Sequence, residues 1–281
     1  MTKTEIKNLL EEYNLRPNRR LGQSFLIEQN IVNKIIKTAE VSDKDIVIEV
    51  GAGLGNLTQE LARKAKKVIA IEKDKQLILI LRKNLSGFKN IDLIPGDILK
   101  LPEPKKVFLK NYRVVANIPY YLTSPLIRMF LENKNQPREM TLLVQKEVAK
   151  RITAIPRRGA TPKMSLLAIS VQFYAQPKIA GYVAKDCFWP KPKVDSAIIK
   201  IAGIQPRKDV DIKKFFQVVK AGFSSPRKQL INNLSAGLKK DKPEIKKALR
   251  DMGLDEKIRA EALKVEDWLK LYKSILDRFF F

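Results

Sequence analysis

Residues 114–121 read Val-Val-Ala-Asn-Ile-Pro-Tyr-Tyr, an apolar run that stops on Asn117-Ile118-Pro119-Tyr120. This corner places an amide, a rigid turn and an aromatic ring at one strand end. An amide there can grip an exocyclic amino group. A ring can stack on a flat base, which is typically worth ~1–3 kcal/mol. The amino nitrogen of an adenine is a poor nucleophile because its lone pair is delocalised into the ring. Accepting hydrogen bonds from both its protons, through the Asn117 side-chain oxygen and the carbonyl of Ile118 or Pro119, would draw that nitrogen towards tetrahedral geometry. A base must be unpaired or drawn out of its stack to reach such a site.

A second set of residues could hold the reagent. Glu49-Val50-Gly51-Ala52-Gly53-Leu54-Gly55 sits where a first strand gives way to a first helix. Glycines let the backbone turn tightly there and come close to a ligand. The spacing is Gly-x-Gly-x-Gly, not the Gly-x-Gly-x-x-Gly of a dinucleotide site. Glu72 ends a second strand, where a carboxylate can accept both ribose hydroxyls of an adenosine. Asp97, in Pro95-Gly96-Asp97-Ile98, follows a third and could accept an exocyclic amine. Successive strand C-termini are where open α/β sheets bind ligands. The set favours an adenosine cofactor without a pyrophosphate, and S-adenosylmethionine fits best. A methyl sulfonium is already electrophilic, so a protein must chiefly desolvate, align and orient the attacking nitrogen.

These residues need a scaffold, and the chain reads as one. Strand-like runs at 46–50, 68–71, 91–94, 113–116 and 141–145 alternate with helical patterns at 29–39, 57–65, 76–85 and near 125–132. Short apolar strands alternating with helices predict a mostly parallel, Rossmann-like α/β sheet covered on both faces. A helix at 162–174 and strands at 178–183 and 196–201 follow, the strands suited to an antiparallel edge. Beyond about residue 204 only helical periodicity remains, at 212–221, 227–234, 243–252 and 265–279, with Pro226 and Pro243 at helix starts. The expected organisation is a domain at 1–203 with a basic N-terminal arm, and a small all-helical domain at 204–281.

Lys and Arg number 55 against 30 Asp and Glu, a net +25 with no histidine, in a 281-residue chain. So large an excess marks a polyanion partner, with nucleic acid favoured over an anionic membrane. No apolar stretch approaches 18 residues and no export signal opens the chain, so neither a membrane span nor secretion is expected. One cysteine, Cys187, and no histidine exclude an internal disulfide, zinc sites and imidazole-based nucleophile systems. No metal is expected, and a reducing cytoplasm is the expected compartment.

Several motifs occur in order: Gly22-Gln23-Ser24-Phe25-Leu26, the glycine loop, Asn117-Ile118-Pro119-Tyr120, the run Gln145-Lys146-Glu147-Val148-Ala149-Lys150-Arg151, and Phe188-Trp189-Pro190-Lys191-Pro192-Lys193-Val194-Asp195-Ser196-Ala197. With them the chain resembles the ribosomal RNA adenine N6-dimethyltransferase family from about residue 18 to 235. The resemblance implies an S-adenosylmethionine-dependent methyltransferase sheet and a helical C-terminal domain. It also implies transfer of two methyls to each of two adjacent adenines near the 3′ end of small-subunit (16S) rRNA, by a protein expected to be monomeric. Carried over by motif, cofactor contacts would be Ser24, Leu26, Gly51, Glu72, Asp97 and Asn117. The reaction site would comprise Asn117, Pro119, Tyr120 and Phe188, the last closing over the target base opposite Tyr120. Arg227 and Lys228, within Phe223-Ser224-Ser225-Pro226-Arg227-Lys228-Gln229, would meet rRNA phosphates from a helix start.

Two departures stand out. Ser24 occupies a position where the family commonly has asparagine, and the hydroxyl has a shorter reach. The segment 159–166 is also off the family pattern. The erythromycin-resistance methyltransferases, which modify one adenine of large-subunit rRNA, share the cofactor set and the Asn-x-Pro-aromatic corner. The basic helical tail and the Phe-Ser-x-x-Arg-Lys motif favour the small-subunit enzyme. A non-catalytic ribosome-assembly factor on the same fold and a DNA adenine methyltransferase are the remaining alternatives.

Overall fold

Val, Ile and Leu suit a strand buried on both faces, since every position then meets an apolar neighbour. The computed structural model describes residues 1–101, 109–156 and 164–279. Its strands are β1 (Phe25–Leu26), β2 (Ile46–Val50), β3 (Lys67–Glu72), β4 (Ile91–Pro95), β5 (Tyr112–Asn117), β6 (Glu139–Gln145), β7 (Gln176–Val183), β8 (Phe188–Trp189) and β9 (Ser196–Ala202). Seven form one sheet in the order β4-β3-β2-β5-β6-β9-β7. The first five of that order run parallel, and β9 pairs antiparallel with both β6 and β7. The expected α/β sheet with an antiparallel edge is present. Strands β1 and β8 make a separate two-stranded ribbon that no periodicity in the sequence signals.

The helices are α1 (Lys3–Glu12), α2 (Gln29–Ala39), α3 (Asn56–Ala62), α4 (Lys75–Asn84), α5 (Thr123–Leu131), α6 (Lys146–Ile152), α7 (Leu166–Gln172), α8 (Ile212–Gly222), α9 (Leu230–Leu238), α10 (Lys242–Asp251) and α11 (Val265–Phe279). In α2, Val32, Ile35, Ile36 and Ala39 are buried at helical spacing, one apolar stripe facing the sheet. They join Leu57 and Leu61 of α3, Ile78 and Leu81 of α4, and Val47, Val68 and Val115 of the strands in one core. Helix α5 covers the opposite face, its Phe130 ring 6.3 Å from that of Tyr112. Side chains alternate along a strand, so Val115 and Asn117 point to the same side of β5. A smaller cluster, with Ile6 and Leu10 of α1, Phe25, Leu77 and Ile80, docks the N-terminal helix.

The described chain separates into two compact units, Met1–Ala149 with Ala175–Ile204, and Lys150–Tyr174 with Gln205–Phe281. The described residues of 150–174 therefore group with the C-terminal helices and not with 1–203. The physical reason is aromatic packing. Phe173, just past α7, stacks on Phe215 of α8 at 4.5 Å between centroids and meets Phe216 edge-on. The atypical segment 159–166 lies outside the described residues up to position 163. Ser165 caps α7, accepting from the Ala168 amide at 3.1 Å. The helix expected at 227–234 begins later than its apolar pattern implies. Helix α9 starts only at Leu230, so Pro226, Arg227 and Lys228 lie in the turn before it. Asn233, buried, donates from Nδ2 to the carbonyls of Gly222 (2.7 Å) and Ser225 (2.9 Å) and so holds that turn in place.

Candidate active site

The parallel strands end together along one edge, and there the sequence places its glycines, acids and amide. Gly51, Gly53 and Gly55 have φ of +78°, +60° and +91°, a region that L side chains rarely adopt. At Gly51 a Cβ would stand in ordinary contact with Pro119 Cδ at 3.4 Å, so the left-handed backbone, not lack of space, calls for glycine there. The Gly51 amide donates to the Ile71 carbonyl at 2.8 Å, fastening the loop to β3. Glu72 follows at the end of β3. Its Oε2 accepts from the Gly53 amide (2.9 Å) and its Oε1 from the Asp74 amide (2.8 Å). Burial pushes this carboxyl up, and those two amides oppose the shift.

Asp97 follows β4 by two residues. Its Oδ2 lies 3.0 Å from Lys73 Nζ and its Oδ1 accepts from the Leu99 amide at 3.1 Å. Burial raises this carboxyl, but the Lys73 and Leu99 hydrogen bonds outweigh it and hold the group below the usual carboxylate range. Glu49, on β2, is 1% exposed and its Oε2 has no hydrogen-bond partner. Burial, and then the nearby Glu72, push it up to about 8. Near neutrality Glu49 is thus mostly a neutral acid.

Asn117 is half-buried at the end of β5. Its Nδ2 donates to the Ser24 carbonyl at 3.4 Å. Pro119 then turns the chain, and its carbonyl accepts from the Leu122 amide at 2.9 Å. The Tyr120 hydroxyl is 2.9 Å from Ser196 Oγ on β9, which tethers the far end of the ring. Burial pushes the Tyr120 phenol up, with Ser196 opposing. The β1–β8 ribbon, where Leu26 pairs with Phe188 and Phe25 with Trp189, lines the same cleft. Phe188 is 3% exposed and sits in the main core cluster with Leu26 while also lining the cleft.

One cleft brings together Ser24, Leu26, Gly51, Glu72, Asp97, Asn117, Pro119, Tyr120 and Phe188. Arg227 and Lys228 are exposed in the second unit. Sequence reasoning missed the residues that hold this cleft in shape. Gln23 donates to Asp74 Oδ2 at 2.7 Å, Asn56 to the Leu26 carbonyl at 3.1 Å, and Ser196 meets Tyr120. Gln23 and Ser196 stand inside recognised motifs, which was the available signal. Among the described residues no group of three or more Cys, Asp or Glu could hold a metal ion, and no helix is long and apolar enough to cross a membrane.

The cradle fits an adenosine-containing group. Glycines open the loop where a side chain would be strained, Glu72 presents fixed acceptors, and an acid stands at the next strand end. Fold and cleft define a Rossmann-like methyltransferase with S-adenosylmethionine as its methyl donor. Residues 14–277 match the ribosomal RNA adenine dimethylase family, and the chain belongs to it. Similar proteins include a ribosomal RNA small subunit methyltransferase A of Dehalococcoides mccartyi, 44% identical over 95% of this chain and 91% of that one. Its namesake in Alkaliphilus oremlandii is 40% identical over 97% and 96%. Among solved structures, a dimethyladenosine transferase from Plasmodium falciparum matches with a TM-score of 0.73 at 28% identity, covering 90% of this chain and 98% of that one. The 23S rRNA methyltransferase ErmE matches with a TM-score of 0.70 at 28% identity, covering 90% and 100%.

Proposed function

We propose that the protein transfers methyl groups from S-adenosylmethionine to N6 of two adjacent adenines near the 3′ end of small-subunit (16S) rRNA, two to each. The observation that carries this reading is the orientation of the Asn117 amide. With Nδ2 given to the Ser24 carbonyl, Oδ1 is the atom left to accept from an adenine amino group. The small-subunit relatives supply the choice of RNA.

Bound S-adenosylmethionine supplies an electrophilic methyl group. Gly51 and Gly53 would give it room, Glu72 would accept hydrogen bonds from its ribose hydroxyls and Asp97 from its adenine amine. Asn117 Oδ1 takes one proton of the target N6 in a hydrogen bond. The Pro119 carbonyl is already engaged by Leu122, which favours the Ile118 carbonyl as the second acceptor. Together they pull the nitrogen out of conjugation and aim its lone pair; each transfer releases one N6 proton to water, and the second round proceeds with the single proton that remains. Tyr120, tethered through Ser196, and Phe188 on its ribbon hold the base between two rings. Arg227 and Lys228 neutralise rRNA phosphates in the helical domain. The protein acts as a cytoplasmic monomer, and no step calls for a metal.

The test is mass-spectrometric mapping of rRNA after reaction with unmodified small subunits. Two adjacent N6-dimethyladenines are expected; methylation confined to large-subunit RNA would overturn the choice and favour an ErmE-like activity, to which the fold is also similar. A parallel role in subunit assembly is separable with Glu72→Ala. Loss of methyl transfer with normal subunit maturation would make binding the main cellular role.

A further inference from the structure

Ser24 makes two bonds that lead away from the cofactor cradle. Its hydroxyl donates to the Pro190 carbonyl at 2.6 Å, and its own carbonyl accepts from Asn117 Nδ2 at 3.4 Å. Pro190 directly follows β8, the strand that carries Phe188 and Trp189. One residue therefore links the amide that would accept the target amine to the strand whose ring would cover the base. We infer that Ser24 is a positioning residue that sets the width of the target-base slot, rather than a contact to S-adenosylmethionine. The inference rests on the function proposed above and deepens it.

Local geometry supports the assignment. Each strand of the β1–β8 ribbon has only two residues, and so short a pair is marginal by itself. The Ile27 amide donates to the Cys187 carbonyl at 2.9 Å and closes one end of the ribbon. The Ser24–Pro190 bond closes the other. A ribbon pinned at both ends cannot fray, so Phe188 is held at a fixed offset from Asn117. A serine hydroxyl has a single proton, and here it is committed to Pro190. Serine in this chain is short enough to bond the facing backbone of β8 from within the ribbon's end.

The experiment compares Ser24→Ala and Ser24→Thr with the unaltered protein. Cofactor affinity is measured by calorimetry, and single-turnover methylation of unmodified small subunits at saturating S-adenosylmethionine. Melting temperatures show that each variant folds. The expected result for Ser24→Ala is a methylation rate about tenfold lower, the scale of one lost hydrogen bond. Cofactor affinity should stay within about twofold, and Thr, which keeps the hydroxyl, should restore the rate. A Ser24→Ala variant with tenfold weaker cofactor binding and a normal rate at saturation would overturn the inference, as would an unchanged rate. If the unaltered protein fails to methylate small subunits, the functional reading falls instead. The two failures are thus distinct.

Discussion

Asn117 and Ser24 stand 93 residues apart and meet through a single hydrogen bond, from the side-chain amide to the backbone carbonyl at 3.4 Å. The bond selects which way the amide points. Turned over, Asn117 would set its oxygen against the Ser24 oxygen and aim its NH2 at the cleft. It would then repel an amino group instead of accepting from it. The bond is long, so it steers more than it stabilises. Its consequence is chemical.

Asn117→Ala removes the acceptor, and turnover is expected to fall by about two orders of magnitude or more, the scale seen when one preorganised polar group is deleted. Cofactor affinity should weaken much less, since Gly51, Glu72 and Asp97 remain. Asn117→Asp is the sharper variant. It keeps an oxygen in place but sets a carboxylate against the Ser24 carbonyl, so it should recover little of the lost rate. Single-turnover rates at saturating cofactor check both, and a near-normal rate in either would refute the role given to the amide.

Tyr120 has a ring and a hydroxyl with separable tasks. Tyr120→Phe keeps the ring and loses the 2.9 Å contact to Ser196. A net hydrogen bond is worth about 0.5–1.5 kcal/mol, which predicts a loss of about two- to tenfold. Tyr120→Ala also deletes the stacking platform, worth ~1–3 kcal/mol, and should raise KM for the subunit further. Equal effects of the two substitutions would mean that the ring does not stack on the base.

Much of this site was legible in the sequence because its chemistry lies at strand ends. Glu72, Asp97 and Asn117 each follow an apolar run that marks its own strand, and the ligand edge of a parallel sheet follows from the alternation. What escaped reading is what joins distant segments. Ser24 reaches Pro190 across 166 residues, and Tyr120 reaches Ser196 across 76. Strands of two residues, such as β1 and β8, are too short to show a period. The helix expected at 227–234 starts late for a comparable reason: the side chain of Asn233 folds back on Gly222 and Ser225 and keeps 227 and 228 in a turn. Likewise, the stacking of Phe173 on Phe215 assigns residues 150–174 to the helical unit, and neither residue's neighbours in sequence reveal it.

Glu49 predicts a pH dependence of stability. Its carboxyl rises from an ordinary 4.5 to about 8 in the folded protein, chiefly through burial. The folded state therefore binds more protons than the unfolded state between those values. The stabilising protonated form is fully present below about 4.5 and is lost as pH climbs through about 8. This site alone should lower unfolding free energy with rising pH, by at most ~1.4 kcal/mol per pH unit. Glu49→Gln is neutral throughout, so its melting temperature should gain on the unaltered protein as pH rises from 6 to about 9. Parallel profiles for the two proteins would show that Glu49 does not titrate in this range.

Arg227 and Lys228 predict a salt dependence that catalytic residues cannot mimic. Both are exposed in the turn that Asn233 holds, and neither touches the cleft. If each neutralises one rRNA phosphate, Arg227→Ala and Lys228→Ala should each reduce the slope of log affinity against log salt by roughly 0.7–0.9. Affinity should fall in low salt and converge with that of the unaltered protein as salt rises, while calorimetric cofactor binding stays constant. Asn233→Ala tests the same contacts through their support. Both charges remain, but the Gly222 and Ser225 carbonyls lose their shared donor and the turn is no longer held. RNA affinity should then drop together with the stability of the helical unit, as the melting profile would show. An unchanged salt slope in all three variants would place the rRNA contacts on other basic residues of this +25 chain.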